Sequence, residues 1–176
     1  SFAACSSRRV LMARKPTAPL LTTADILPLV AYIRHRKQEH FLVLSFDSGQ
    51  RLISRRLVGL GTLTASIVHP RETFAGAVKD RAHSIVIIHN HPSDDCSPSR
   101  ADLSVTQQLA AAGQIVGIHL RDHIIVSPTG YYSFAANGLL LPPDPNTREA
   151  QLLDSLWSYV GVGSRFRRIL QPSRPL

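Results

Sequence analysis

Two histidines one residue apart, His89 and His91, stand at the end of an apolar run, and Ser99 and Asp102 follow shortly after them. Alternate side chains of a strand point to the same side, so both imidazoles would face one direction. Asp102 is expected in the first turn of the next helix, where the N-terminal dipole favours a carboxylate. Two imidazole nitrogens and one carboxylate oxygen leave a zinc ion an open position for water, which is the catalytic pattern. The spacing therefore predicts a catalytic zinc site held by His89, His91 and Asp102.

Each half of this pattern also has an ordinary structural explanation. A His-x-His pair in a soluble protein is more often not a metal site. Ser99-x-x-Asp102 closely resembles a helix capping box, with Asp in place of the usual Glu or Gln. The combination favours a metal site, because the histidine pair, a spacer of seven residues and the Ser99-x-x-Asp102 sequence follow one another directly.

Helices and strands are predicted to alternate around these residues. Hydrophobic periodicity and turn signals predict a helix near residues 25–36, strands at 40–46 and 51–60, a helix at 70–82, a strand at 84–89, a helix at 99–112, and strands at 115–120, 123–126 and 131–134. This alternation predicts an α/β domain layered around a mixed sheet.

Individual residues predict some of the helix boundaries. Asp25 is expected to cap the first helix, with Pro28 in its first turn. Gly113 is expected to end the third helix. The inner face of the second helix is predicted to comprise Phe74, Ala77 and Val78.

Composition bounds the class of protein. Hydrophobic residues make up 44% of the 176 residues, which allows a sizeable core in one domain with tails. No apolar run reaches the roughly 18 residues that a membrane span requires. Cys5 and Cys96 do not suggest a disulfide framework, which favours a reducing, cytoplasmic location.

The chain is expected to divide into five parts. They are a flexible basic leader (1–23), a folded domain (24–141), a Pro-rich linker (142–146), a C-terminal helix (147–163) and a basic tail (164–176). The C-terminal helix would either dock on the domain or bind a partner. Its apolar face comprises Leu152, Leu153, Leu156, Trp157 and Val160.

The net charge of +8 is concentrated at the two ends. Residues 1–15 and residues 165–176 each contain four basic residues and no acidic one, whereas the span between them is neutral. Such ends can contact nucleic-acid phosphates, but they can equally be solubilising tails.

The motif His89-x-His91, seven residues, Ser99-x-x-Asp102 resembles the JAMM, or MPN+, metalloprotease motif throughout its length. The surrounding sequence is similar, more narrowly, to the bacterial RadC family over about residues 24–141. The similar segments are Gly61-Thr62-Leu63, Val68-His69-Pro70-Arg71-Glu72, Asn90-His91-Pro92-Ser93, Ala112-Gly113, Asp122-His123-Ile124-Ile125 and Tyr132-Ser133-Phe134. The resemblance implies a cytidine-deaminase-like α/β/α sandwich with zinc at the edge of its mixed central sheet.

The resemblance also implies roles for single residues. His89, His91 and Asp102 would be the zinc ligands, Glu39 the catalytic glutamate, and Ser99 a hydrogen-bond donor to the developing oxyanion. The implied function is a zinc-dependent hydrolase of the JAMM class that cleaves a peptide or isopeptide bond in a protein or peptide substrate. The alternative is a non-enzymatic accessory module linked to DNA repair or DNA-associated complexes.

Three further residues bear on the predicted site. The family commonly has H-P-S-G-D-P beginning at the second histidine, whereas Asp94 here replaces the glycine, so a changed loop shape is expected. Cys96 in the same loop is expected to be a bystander thiol. His123 fits a supporting or structural histidine better than a fourth ligand.

Overall fold

Five strands and three α-helices form in the residues that the computed structural model describes, 18–61 and 68–140. In chain order they are α1 (Thr23–Val30), which continues into a 3₁₀ helix (Ala31–Ile33), β1 (His40–Phe46), β2 (Leu52–Leu60), α2 (Pro70–Lys79), β3 (Ser84–Asn90), α3 (Arg100–Val116), β4 (His119–Val126) and β5 (Tyr131–Ser133).

The strands make one mixed sheet in the order β2-β1-β3-β4-β5. β1 is antiparallel to both β2 and β3, β3 is parallel to β4, and β4 is antiparallel to β5. The parallel pair is connected through α3, as a parallel crossover requires. β3 is central and buried at every position, in agreement with its continuous apolar sequence. The predicted mixed sheet is confirmed.

Helices cover both faces of this sheet. On one face, Leu42, Leu44 and Val86 pack with residues of α1. On the other face, Val43 and Ile87 pack with residues of α2 and α3. Successive strand side chains point to opposite faces, so β1 and β3 contribute to both cores. The α/β/α sandwich is confirmed.

The first helix begins earlier and ends sooner than predicted. Its N-cap is Thr22 rather than Asp25, and the Asp25 carboxylate instead accepts a hydrogen bond from the Thr22 backbone N–H, which completes a capping box. Pro28 consequently lies inside α1 and not in its first turn. Leu20, which was assigned to the flexible leader, is buried against this face of the sheet.

The third helix extends beyond Gly113, the residue that is predicted to end it. α3 continues to Val116, and its C-cap is Gly117 in the left-handed conformation at φ +71°. Gly113 is buried within α3, where a Cβ atom would lie 2.5 Å from the backbone oxygen of Ile118. Gly113 is therefore explained by close packing and Gly117 by helix termination.

The two strands predicted at 115–120 and 123–126 are one strand, β4. A register irregularity against β3 accommodates Arg121, whose guanidinium lies over the Phe46 ring. Asp122 is buried and accepts hydrogen bonds from Ser133 Oγ and the Ala135 N–H. The charged pair does not break the strand because both side chains find partners.

The second helix is shorter than predicted, and its buried face contains Thr73 in place of Val78. α2 ends at Lys79, and Phe74 and Ala77 face the core as expected. Val78, in contrast, is 55% exposed. Val78 follows Ala77 directly and lies outside the buried face of α2.

Several predictions fall outside the described residues. These are the linker at 142–146, the C-terminal helix at 147–163, the basic tail and the leader up to residue 17. Among the helices of residues 18–61 and 68–140, none combines the length and the apolar character needed to cross a membrane.

Candidate metal centre

The predicted ligand residues come together at one end of β3. His89 is fully buried in the strand, and His91 follows one residue after the strand ends. Asp102 lies in the first turn of α3 and is also buried. His89 Nε2 is 3.0 Å from His91 Nε2 and 3.3 Å from Asp102 Oδ1, and His91 Nε2 is 3.6 Å from Asp102 Oδ2. One ligand atom from each residue lies within 4.8 Å of the other two, so the group can hold a metal ion.

Burial and neighbouring groups shift the pKa values of the three side chains in different directions. Burial lowers the pKa of His89, which favours the neutral imidazole that binds metals. The hydrogen bond to Asp102 raises the pKa of His91. Burial acts to raise the pKa of Asp102, but the adjacent imidazoles of His89 and His91 outweigh it and hold that pKa well below its usual range. Asp102 is therefore an anion that faces two imidazoles.

A buried hydrogen-bond chain determines which nitrogen of His89 faces Asp102. Thr106 Oγ1 donates to the backbone oxygen of Asp102, so it accepts from His123 Nδ1 at 2.6 Å. Burial holds the pKa of His123 well below its usual value, so His123 is neutral and its Nε2 accepts from His89 Nδ1 at 2.8 Å. His89 Nε2 is thereby left with a lone pair directed at the ligand cluster.

His91 is oriented in the same way by a different partner. Its Nδ1 donates to the backbone oxygen of Asp95 at 2.8 Å, so its Nε2 faces Asp102. The loop after β3 therefore orients His91, although its sequence differs from the H-P-S-G-D-P pattern of the family. Asp94 accepts hydrogen bonds from the backbone N–H and the hydroxyl of Thr129, which ties its carboxylate to the β4–β5 turn.

Glu39 and Ser99 line the same cavity as His91 and Asp102. Glu39 lies immediately before β1 and is half-buried. Ser99 is the N-cap of α3: its hydroxyl donates to Asp102 Oδ2 at 2.6 Å and accepts from the Asp102 N–H at 3.1 Å. The capping box that the sequence suggested is present, and it holds Asp102 within the cluster.

Cys96 and His123 do not belong to the group of ligand atoms found within the described residues. Cys96 is partly exposed and lies beside Gly130. His123 stands behind His89, and its ring stacks on Phe134 at 4.6 Å between centroids.

Sequence reasoning missed two polar residues at the site. Thr106 follows Asp102 by four residues, so helical periodicity could have placed it on the same buried face. Asn90 lies between the two histidines and is fully buried. Its only sequence signal is that it is an amide at the end of an apolar strand.

The fold and the site together define a class of protein. A His-His-Asp cluster, in which His89 and Asp102 are buried, lies where a strand and a helix meet at one end of a mixed sheet, and helices cover both faces of that sheet. The chain belongs to the family of RadC-like JAB domains, which matches residues 21–139.

Curated relatives agree with this assignment. The chain is 46% identical over 108 residues to a UPF0758 protein of Syntrophotalea carbinolica, covering 61% of this chain and 48% of that protein. It is 40% identical over 136 residues to a UPF0758 protein of Rubrobacter xylanophilus, covering 76% of this chain and 60% of that protein. A UPF0758 protein of Chlorobium chlorochromatii is 37% identical over 135 residues, with coverage of 76% and 61%. The chain thus spans about half to three-fifths of the length of these relatives, whose shared name states no activity.

Proposed function

We propose that this chain is a zinc-dependent hydrolase that cleaves a peptide or isopeptide bond. The observation that carries the proposal is the cluster of His89, His91 and Asp102, two of which, His91 and Asp102, line the same cavity as Glu39. Two candidate metal ligands and a candidate general base thus face the same space. The type of bond is inferred from the resemblance to the JAMM motif.

The donor set fits zinc on chemical grounds. The two Nε2 atoms and the carboxylate of Asp102 supply three protein ligands of the kinds that zinc prefers, and such sites keep a further position for water or substrate. When bound, zinc would act as a Lewis acid and lower the pKa of a water molecule from about 15.7 towards about 7.

Glu39 would act as the proton carrier. A carboxylate beside the ligands can accept the proton of the attacking water and then deliver it to the leaving amine. Ser99 would donate a hydrogen bond to the developing oxyanion. For that purpose its hydroxyl must turn from Asp102 Oδ2, to which it donates in this structure.

The experiment compares hydrolysis by zinc-loaded wild type and Glu39→Gln on a panel of peptides and ubiquitin-like conjugates. We expect Glu39→Gln to retain the metal and to lose activity by about 100-fold or more, as for loss of a general base. Glu72→Gln is the matched control, because Glu72 is exposed on α2 and pairs with Arg71. Undiminished turnover in Glu39→Gln, or no cleavage of any substrate by zinc-loaded wild type, would contradict the proposal.

The charge distribution favours a second candidate function. The basic residues at 1–15 and 165–176 supply the whole net charge of +8, which suits contact with nucleic-acid phosphates. On this second proposal, the chain is an accessory module of DNA-associated complexes.

A further inference from the structure

Asn90 is a buried amide whose side chain has partners at both ends. Its exposure is 0%, and it separates the two histidines of the cluster. Asn90 Oδ1 accepts from the His40 backbone N–H at 2.8 Å. Its Nδ2 donates to the backbone oxygen of Arg36 at 3.1 Å and to that of Gln38 at 3.3 Å. Burial of this amide is offset only because these three bonds are made.

The partners of Asn90 flank Glu39 on both sides. Residues 34–38 contain turns and bends between the 3₁₀ helix and β1, so the carbonyls of Arg36 and Gln38 require partners other than a neighbouring strand. Asn90 binds the peptide oxygen before Glu39 and the peptide N–H after it. The Glu39 carbonyl itself accepts from the Gly61 N–H at 3.0 Å.

We propose that Asn90 is a positioning residue that fixes Glu39 relative to the metal ligands. The backbone of Glu39 is tied to a side chain whose two sequence neighbours are His89 and His91. Displacement of Glu39 would therefore require rupture of bonds to the strand end that carries the ligands. The catalytic consequence rests on the proposed function, since it assumes that Glu39 carries the proton.

The chemistry of the contacts requires an amide. The site needs one acceptor and two donor contacts from a single short side chain, and asparagine supplies an oxygen and an NH₂ group. Aspartate has the same shape, but it would direct a carboxylate oxygen at the carbonyls of Arg36 and Gln38. Alanine removes all three bonds.

The experiment uses Asn90→Asp and Asn90→Ala in the full chain, with Asn137→Ala as the matched control. Asn137 also donates from Nδ2 to a backbone oxygen, that of Ser133, but it lies on the surface after β5. Amide hydrogen exchange of His40 is followed by NMR, and zinc content is measured in parallel. We expect exchange at His40 to accelerate about tenfold or more in Asn90→Ala, which removes the acceptor of that N–H, whereas Asn90→Asp keeps the acceptor and loses only the two donor contacts. Zinc content should stay near that of wild type, and Asn137→Ala should change neither quantity.

A kinetic measurement distinguishes a positioning role of Asn90 from a general contribution to the stability of the fold. In a hydrolase, loss of Glu39 positioning should lower kcat by about 10- to 100-fold with little change in KM, because misplacement of a reacting group acts on the chemical step. Unaltered His40 exchange in folded Asn90→Ala, or faster exchange with unaltered kcat, would overturn the proposal.

Failure of the inference about Asn90 can be distinguished from failure of the proposed function. If zinc-loaded wild type hydrolyses nothing, the exchange measurement still decides whether Asn90 fixes the Glu39 backbone. If neither variant folds, the Asn90 NH₂ protons of wild type provide the test. We expect them to exchange with solvent far more slowly than those of exposed Asn137, and equal rates would contradict the inference.

Discussion

The orientation of His89 depends on side chains that never reach the cavity. His123 accepts the Nδ1 proton of His89, and Thr106 accepts the Nδ1 proton of His123. Each link is buried, so water cannot substitute for a lost partner. The tautomer of His89 that could bind a metal through Nε2 is therefore determined by contacts with α3 and β4.

We predict that His123→Phe weakens zinc binding by about 10- to 100-fold, the usual range for loss of a residue that supports a ligand histidine. Phenylalanine keeps a ring against Phe134 but offers no acceptor to His89. Chelator competition measures the affinity. Thr106→Ser keeps the hydroxyl and should bind zinc as wild type does. Equal affinity of His123→Phe and wild type would show that the hydrogen-bond chain does not orient the ligand.

At the scale of residues, the sequence predicted the three candidate ligands but not the role of Asn90. His89, His91 and Asp102 were predictable because their spacing places them on adjacent element ends. Asn90 was not, because its partners lie about fifty residues earlier, on a segment whose position depends on the pairing of β1 with β3. Ser99-x-x-Asp102 had two explanations, and in the structure the cap also holds Asp102 in the cluster.

At the scale of elements, the two glycines of α3 show why its end was misplaced. Both fit a rule that glycine ends helices, and only tertiary packing separates them. Gly113 lies against Ile118, where the chain returns from α3 into β4, whereas Gly117 adopts a positive φ. Sequence periodicity contains no information about that close approach.

We predict that Gly113→Ala lowers the free energy of unfolding by roughly 1–3 kcal/mol, because the added methyl group would meet the Ile118 carbonyl oxygen. Intrinsic helix propensity alone favours alanine by about 1 kcal/mol, in the opposite direction. Denaturant unfolding measures the difference. Ala111→Gly, two residues earlier in α3, is the control that reports propensity. A stabilised Gly113→Ala variant would contradict the packing explanation.

Arg56 in β2 forms an ion pair with Asp80, the C-cap residue of α2. The Arg56 guanidinium and the Ser54 hydroxyl hold the pKa of Asp80 well below its usual range. A lowered pKa in the folded state adds stability above the unfolded value, about 3.9, and this stability is lost as the pH falls through the folded value. Asp80→Asn should therefore cost about 1–2 kcal/mol at neutral pH.

The cost of Asp80→Asn should shrink once the pH falls below about 4. Urea unfolding at several pH values measures this change. Glu72→Gln, which removes an exposed carboxylate, should have little effect at any pH. A difference between wild type and Asp80→Asn that is the same at pH 7 and pH 3 would exclude the linkage.

At the scale of the whole molecule, the architecture was predictable because its signals are local and repeated. Alternating helices and strands predicted an α/β domain layered around a mixed sheet, and the apolar run at 84–89 predicted a strand buried on both faces. The α/β/α sandwich was implied by the resemblance to the JAMM and RadC families. Strand order was not available from these signals, since it depends on long-range pairing. The single β4 was missed because its charged pair is satisfied by residues outside the local sequence, such as Gln50, which accepts a hydrogen bond from Arg121.

The basic ends lead to a prediction for the second candidate function. If residues 1–15 and 165–176 bind DNA, the logarithm of the binding constant should fall with the logarithm of salt concentration, with a slope of about −3 or steeper. A variant with the eight basic residues of these two segments replaced by glutamine should lose this binding. A shallow slope, or binding that survives the replacement, would exclude the ends as the contact surface.

The central claim is that His89, His91 and Asp102 hold a zinc ion, and elemental analysis after dialysis tests it most directly. Wild type should retain about one zinc per chain, and His91→Ala should lose most of it. His119→Ala, which removes an exposed histidine at the start of β4, should retain the metal as wild type does. A His91→Ala variant with full zinc content, or a wild type that retains none, would contradict the account.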